Sequence, residues 1–141
     1  KNGAVGNITA SKVHTGTNDD VNIEIYGEKG AIKYSLMNPG WLYFYDTERA
    51  GEPIGGERGF TRIECGGRFP APGGVFPSPK APVGWLMGHV TSYMNFLAAL
   101  DRGDNPSPDF SDGAYVQRVM EAGYRSAETH AFVKVDDIKG V

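Results

Sequence analysis

Three histidines, one cysteine and a few clustered acids are the residues from which this 141-residue chain could build chemistry. His89 is the most suggestive. It stands one helical turn after Trp85, just beyond a long stretch of glycine and proline, and an imidazole beside a loop-covered cleft binds or protonates a substrate. Its plainer role is a satisfied hydrogen bond on a helix face. His14 closes a strand-like segment, and His130 falls near the end of a helical one, where a cation is mildly favoured. Asp109 and Asp112 in "PDFSDG" suit the start of a helix. Cys65 is alone, which excludes an internal disulfide and a multi-cysteine metal site. No G-x-G-x-x-G opens a helix after a strand, and there is no Walker loop, no H-E-x-x-H and no G-x-S-x-G. On chemistry alone the chain carries no catalytic set.

The elements that would position these residues are legible from periodicity. "DVNIEIYG" alternates, with Val21, Ile23 and Ile25 on one side and Asn22, Glu24 and Tyr26 on the other. "GEKG" closes a hairpin onto "AIKYSL", which alternates again. "NPG" (Asn38 to Gly40) is a turn by its own chemistry. "WLYFYD" and "GFTRIEC" are further strands, and "GNITASKVHT" and "AFVKVD" are expected as strands at the two ends. Tight connections imply mostly antiparallel pairing. From Trp85, the residues Leu86, Val90, Tyr93, Met94, Leu97 and Leu100 make one helical stripe, ending at Gly103. Pro106 and Pro108 break the chain, and a second helix follows, capped by Asp109 or Ser111. Its inner face is Val116, Val119, Met120, Gly123 and Ala127, with Gly123 expected to allow a close approach to the sheet. The fold class is therefore α+β: one domain over residues 1–141, with a mostly antiparallel open sheet and two main helices packed on one face.

Two features stand out. The stretch from Cys65 to Trp85 is crowded with Gly and Pro and is long for a connection inside a compact domain. It is either a surface loop or a cover over a pocket or a partner subunit, and Arg68, Phe69 and Phe76 are costly residues to leave in water. The second feature is "WLYFYD", which is apolar or aromatic on both sides: Leu42 and Phe44 on one, Trp41, Tyr43 and Tyr45 on the other. A solvated face would alternate toward charge. Another copy of the chain, another domain or a flat ligand must cover it, with several kcal/mol to gain at about 1.5–3 kcal/mol per large side chain.

Composition excludes some partners. The net charge is −3, which gives no basic patch for nucleic acid. No apolar run is long enough to cross a bilayer, and no secretion signal is visible. The expectation is a cytoplasmic protein without nucleic-acid or membrane partners. The chain opens on "KNGAVGNI" without methionine, as a piece of a longer protein or a processed one would.

The segment "ASKVHTGTNDDVNIEIYGEKGAIKYSL", followed after one residue by "NPGWLYFYD", resembles the C-terminal domain of the Gfo/Idh/MocA oxidoreductases, the family of glucose–fructose oxidoreductase and inositol dehydrogenase. The run "GWLMGHVTSYMNFLAAL", then "SPDFSDGAYVQRVMEAGYRSAET" and "FVKV", is similar to that family's closing helices and last strand. The resemblance spans residues 6–135. It implies that an upstream Rossmann domain, not in this sequence, binds NAD or NADP and supplies a lysine in a Glu-Lys-Pro motif. An Asp-x-x-x-His pair would assist proton transfer. Neither motif occurs here, so no catalytic residue is carried over. The implied reaction is hydride transfer between a sugar or cyclitol hydroxyl carbon and the nicotinamide, with this chain inactive alone. It would contribute a substrate wall, with Arg68, Trp85 and His89 as lining residues, and a homo-oligomer interface through Trp41, Tyr43 and Tyr45. The alternatives are a stand-alone carbohydrate-binding module and a purely structural oligomerisation module.

Overall fold

In the computed structural model, residues 3–71, 73–75, 78, 80 and 84–140 are described. The chain divides into two compact units, Lys1–His89 and Val90–Val141.

The first unit is built on a four-stranded antiparallel meander: β1 (Asn22–Gly27), β2 (Gly30–Ser35), β3 (Trp41–Asp46) and β4 (Phe60–Glu64), in the order β1-β2-β3-β4. Only Glu28 and Lys29 separate β1 from β2, and Gly27 pairs with Gly30 across the turn. Glycine is required at position 30, where an added Cβ would run into the carbonyl of Tyr45 on β3. The Lys29 carbonyl accepts from both the N–H (3.1 Å) and the hydroxyl (2.9 Å) of Thr47, so the hairpin turn is tied to the end of β3. At the opposite end the Asn38–Gly40 turn forms as its residues predict. The Asn38 N–H donates to Ser35, and the Trp41 N–H donates to Asn38. The Cys65 N–H donates to the Gly40 carbonyl at 2.8 Å, which anchors the exit of β4.

Pairing sorts the side chains onto two faces, because directly opposed residues share a side and successive residues alternate. Ile23, Tyr34, Leu42 and Ile63 lie in one row, and Ile25, Ile32, Phe44 and Thr61 in the next; together they make an apolar face. The other face holds Glu24, Lys33, Tyr43 and Arg62 in one row and Tyr26, Ala31, Tyr45 and Phe60 in its neighbour.

The two terminal segments expected as strands do not form them. Residues 3–20 carry no ladder, and Val5, Ile8 and Val13 are almost wholly exposed. "AFVKVD" gives a short 3-10 helix, Val135–Asp137, and not a strand. Strand propensity is largely the fit of a side chain to a pleated, half-buried surface, and without an adjacent strand it has nothing to act on.

The helix α1 (Trp85–Arg102) begins at the end of the first unit and continues into the second. It stops at Gly103, with φ of +71°, in a Schellman arrangement: the Gly103 N–H donates to Leu100, and the Asp104 N–H donates to Ala99. Met87 and Ala99 are its buried residues, whereas Leu86, Tyr93, Leu97 and Leu100 of the expected stripe are more than half exposed. In the second unit α2 (Phe110–Thr129) starts from Asp109, whose carboxylate accepts from the N–H groups of Ser111 and Asp112. The Asp112 carboxylate accepts in return from the Asp109 N–H at 2.9 Å, which completes a capping box. Ala122 is buried and Val119 half-buried, but Val116 and Met120 of the expected inner face are exposed. Within the second unit an added Cβ at Gly123 meets no atom within 4 Å. His130 closes the helix in the left-handed conformation, φ +52°.

Two outcomes test this account. Gly30→Ala should destabilise the first unit by about 1–3 kcal/mol, since the Tyr45 backbone must move to admit a methyl group; a melting temperature equal to wild type would contradict the close approach. The bonds from Ser111 and Asp112 hold the Asp109 carboxyl below its ordinary value. A depressed carboxyl stabilises the fold above the unfolded value and loses that contribution as pH falls through the folded one. Helix content should therefore drop on acidification below about pH 4, and Asp109→Asn should flatten this acid limb of a circular-dichroism titration.

Candidate functional site

Among the described residues after β4, backbone bonds form two short turns. Cys65 leads into a 3-10 turn, Gly66–Arg68, in which the Arg68 N–H donates to the Cys65 carbonyl at 2.9 Å. A second turn, Gly73–Val75, is closed by the Gly74 N–H on Pro70. A side chain at Gly74 would strike the Phe69 carbonyl, so this turn also demands glycine. Arg68 and Phe69 are exposed; Phe76 lies outside the described residues.

Of the three expected wall residues, two meet. Trp85 opens α1 and His89 follows one turn later, so their side chains share a face. Their ring centroids are 4.2 Å apart and the planes are inclined at 68°, an edge-on contact. Trp85 remains 66% exposed, and His89 is exposed as well. The pair therefore offers a broad indole face beside an imidazole with hydrogen-bonding edges. An indole face can stack on the apolar face of a ring, and an imidazole can hydrogen-bond a hydroxyl. Among the described residues no hydrogen bond or ring contact joins Arg68 to either of them. The other two histidines take no part: the His14 carbonyl accepts from the Thr17 N–H and hydroxyl in an exposed turn, and His130 caps α2.

The second candidate surface is the mixed face of the sheet. Trp41, Tyr43 and Tyr45 alternate onto it from β3, as their spacing predicts, and all three are half-buried. Sequence reasoning missed their partners. The Arg62 guanidinium lies 3.7 Å from the centroid of the Trp41 ring. Lys33 sits 5.5 Å from the Tyr26 centroid and 5.2 Å from that of Phe60, and it pairs with Glu24 at 3.3 Å. The Tyr26 hydroxyl donates to the same carboxylate. Tyr45 meets Phe60 edge-on at 5.5 Å. Tyr26, and after it Lys33, hold the Glu24 carboxyl below its ordinary value; Tyr26 and Glu24 hold the Lys33 ammonium above its own. On the opposite face burial pushes the Tyr34 phenol up. The missed signal was the alternation of β1 and β4 as well as β3: Glu24, Tyr26, Phe60 and Arg62 all fall on the parity that faces the aromatic row.

One face of the Trp41 indole is taken by a guanidinium, so the row is not a bare sugar platform. Aromatic residues and Arg are enriched at protein–protein interfaces, whereas Lys and Glu are depleted there. In the second unit an open concavity of about 560 Å³ is lined by polar groups such as Asn95, Arg102 and Asp104, but Arg102 and Asp104 already bond each other at 2.7 Å.

The start of α2 does not fit the pyrophosphate of a nicotinamide dinucleotide. A pyrophosphate needs a glycine-rich turn leading into an uncapped helix N-terminus. α2 opens instead on the carboxylates of Asp109 and Asp112, which already occupy its free N–H groups and would repel phosphate.

The chain is 28% identical over 138 residues to levoglucosan dehydrogenase of Pseudarthrobacter phenanthrenivorans, which covers 97% of this chain and 34% of that protein. It thus spans about a third of its relative's length. Its fold matches an oxidoreductase domain protein from Kribbella flavida with a TM-score of 0.70 at 30% identity, over 83% of this chain and 29% of the other. Residues 1–135 match the model for the C-terminal α/β domain of the oxidoreductase family, and the chain therefore belongs to the Gfo/Idh/MocA oxidoreductases.

Proposed function

We propose that this chain is the substrate-wall and oligomerisation portion of an NAD(P)-dependent dehydrogenase acting on a sugar or cyclitol hydroxyl. The observation that carries the reading is the similarity to a levoglucosan dehydrogenase along nearly the whole chain. The exposed Trp85–His89 pair is the part of the first unit best suited to a sugar: the indole stacks on the ring, and the imidazole hydrogen-bonds a hydroxyl. Arg68, in the 3-10 turn Gly66–Arg68, is a further candidate donor. NAD or NADP supplies the hydride chemistry and is bound by residues outside this chain, a reading supported by the two carboxylates that close the start of α2. The mixed sheet face, with Trp41, Tyr43 and Tyr45 at its centre, pairs subunits. No helix among the described residues is long and apolar enough to cross a membrane.

The test is a comparison of the full gene product with the 141-residue chain, following nucleotide reduction with levoglucosan and a panel of related sugars and cyclitols. The full product should turn over, and the chain alone should not. Turnover by the chain alone, or a full product inert toward every sugar, would overturn the assignment. In the full product Trp85→Ala should raise the KM for the sugar about tenfold with a smaller change in kcat, given about 1 kcal/mol for a ring-stacking contact. An unchanged KM would remove Trp85 from the wall.

A further inference from the structure

We propose that the substrate is an acidic sugar, one carrying a carboxylate or a phosphate, and that Arg68 and Lys80 attract its anionic group toward the Trp85–His89 pair. This rests on the reading that the pair lines a sugar site, and it adds the charge of the sugar.

The first observation is where the acids are not. Of the 141 residues 17 are Asp or Glu, yet none falls between Cys65 and Leu100. That stretch holds the two turns after β4, the Trp85–His89 pair and most of α1. Its only Lys or Arg residues are Arg68 and Lys80, so it is a cationic stretch in a chain of net charge −3. The acids that bound it belong elsewhere. Glu64 ends β4 opposite Trp41, on the mixed face of the sheet. Asp101 stands in the last turn of α1, at the opposite end of that helix from Trp85.

The second observation is what the other cations do. From β1 to the end of α2, eight further Lys and Arg side chains all have partners. Four pair with carboxylates. Two donate to a hydroxyl or a carbonyl oxygen. Two lie against aromatic rings. Among the described residues no ion pair, side-chain hydrogen bond or ring contact engages Arg68 or Lys80, and both are exposed. Each is held by its backbone instead. The Arg68 N–H donates to the Cys65 carbonyl at 2.9 Å, and the Lys80 N–H donates to the Ser78 hydroxyl at 3.1 Å.

Charge of one sign around a binding surface raises the local concentration of an oppositely charged ligand. Arg68, Lys80, Trp85 and His89 all belong to the first unit. Lys80 stands five residues before Trp85, so the two Cα atoms are at most about 18 Å apart. That is roughly two screening lengths at physiological ionic strength, so the attraction is sensitive to salt. A guanidinium also matches a carboxylate or a phosphate with two parallel N–H donors, which no neutral hydroxyl accepts as well. The roles then divide. Trp85 and His89 address the ring and a hydroxyl, and Arg68 and Lys80 address the anionic group.

The test compares kcat/KM of the full gene product for glucose, galactose and mannose with that for the uronate and the 6-phosphate of each, which share the ring and differ at one carbon. At low ionic strength an acidic form should be preferred about tenfold, as two exposed cations acting at a distance allow, and the preference should contract at high salt. A preference for the uronate assigns a carboxylate, and one for the 6-phosphate assigns a phosphate. Arg68→Gln and Lys80→Gln should each lower the ratio of acidic to neutral kcat/KM about threefold, through KM, and together should abolish the preference. Because each variant is scored as a ratio, loss of folded protein does not mimic the effect. Turnover that favours the neutral sugars, or that ignores the charge, would overturn the acidic substrate and leave the dehydrogenase reading intact. A preference that survives the double variant would overturn the role of Arg68 and Lys80. A product inert toward every sugar would overturn the dehydrogenase reading, and this inference with it.

Discussion

The register between β2 and β3 is the constraint on which the other features rest. It is held at one end by the close approach of Gly30 to the Tyr45 carbonyl and by the two bonds from Thr47 to Lys29. A slip of one residue would exchange the faces of a strand completely, because the side-chain period is two. Ile32 would change places with Lys33, and the separation of an apolar face from a mixed one would be lost. The position of Arg62 over Trp41, and of Lys33 between Tyr26 and Phe60, follows from pairings propagated outward from this central ladder.

The mixed face is organised by orientation more than by stability. Its ion pair is substantially exposed, and such pairs contribute little to folding on their own. Their effect is geometric: Arg62 is laid against Trp41, Lys33 against Tyr26 and Phe60, and Phe60 against Tyr45, so these side chains are held in fixed relation. A preordered surface loses less side-chain freedom on association. The Trp85–His89 pair follows the same logic on a smaller scale, since a helical turn holds both rings in a fixed relation.

Much of this was legible in the sequence. The four central strands, both turns of the meander and the two helices follow from alternation, from "GEKG" and "NPG", and from Asp109 and Gly103 as helix boundaries. The face carrying Trp41, Tyr43 and Tyr45 was legible too. What failed was the reading of the ends, where Ile8, Val13 and Phe132 have strand-forming side chains but no strand beside them to complete a ladder. The helical stripes failed for a related reason: periodicity shows that a helix has an apolar side, but not which of Leu86, Met87 or Val90 is shielded. Of the expected wall residues, Trp85 and His89 meet because of a spacing of four. The position of Arg68 depends on loop geometry that spacing does not contain.

The meander has a kinetic consequence. Every strand pairs with its immediate neighbour in the chain, and the first connection is only two residues long. Little entropy is spent in bringing such segments together, and sheets of low contact order assemble quickly for that reason. The β1–β2 hairpin is the natural seed, with β3 adding next and β4 last, after the thirteen-residue excursion between them closes. A nascent chain could thus complete this layer soon after Glu64 is free to move, before the residues of α2 have been made.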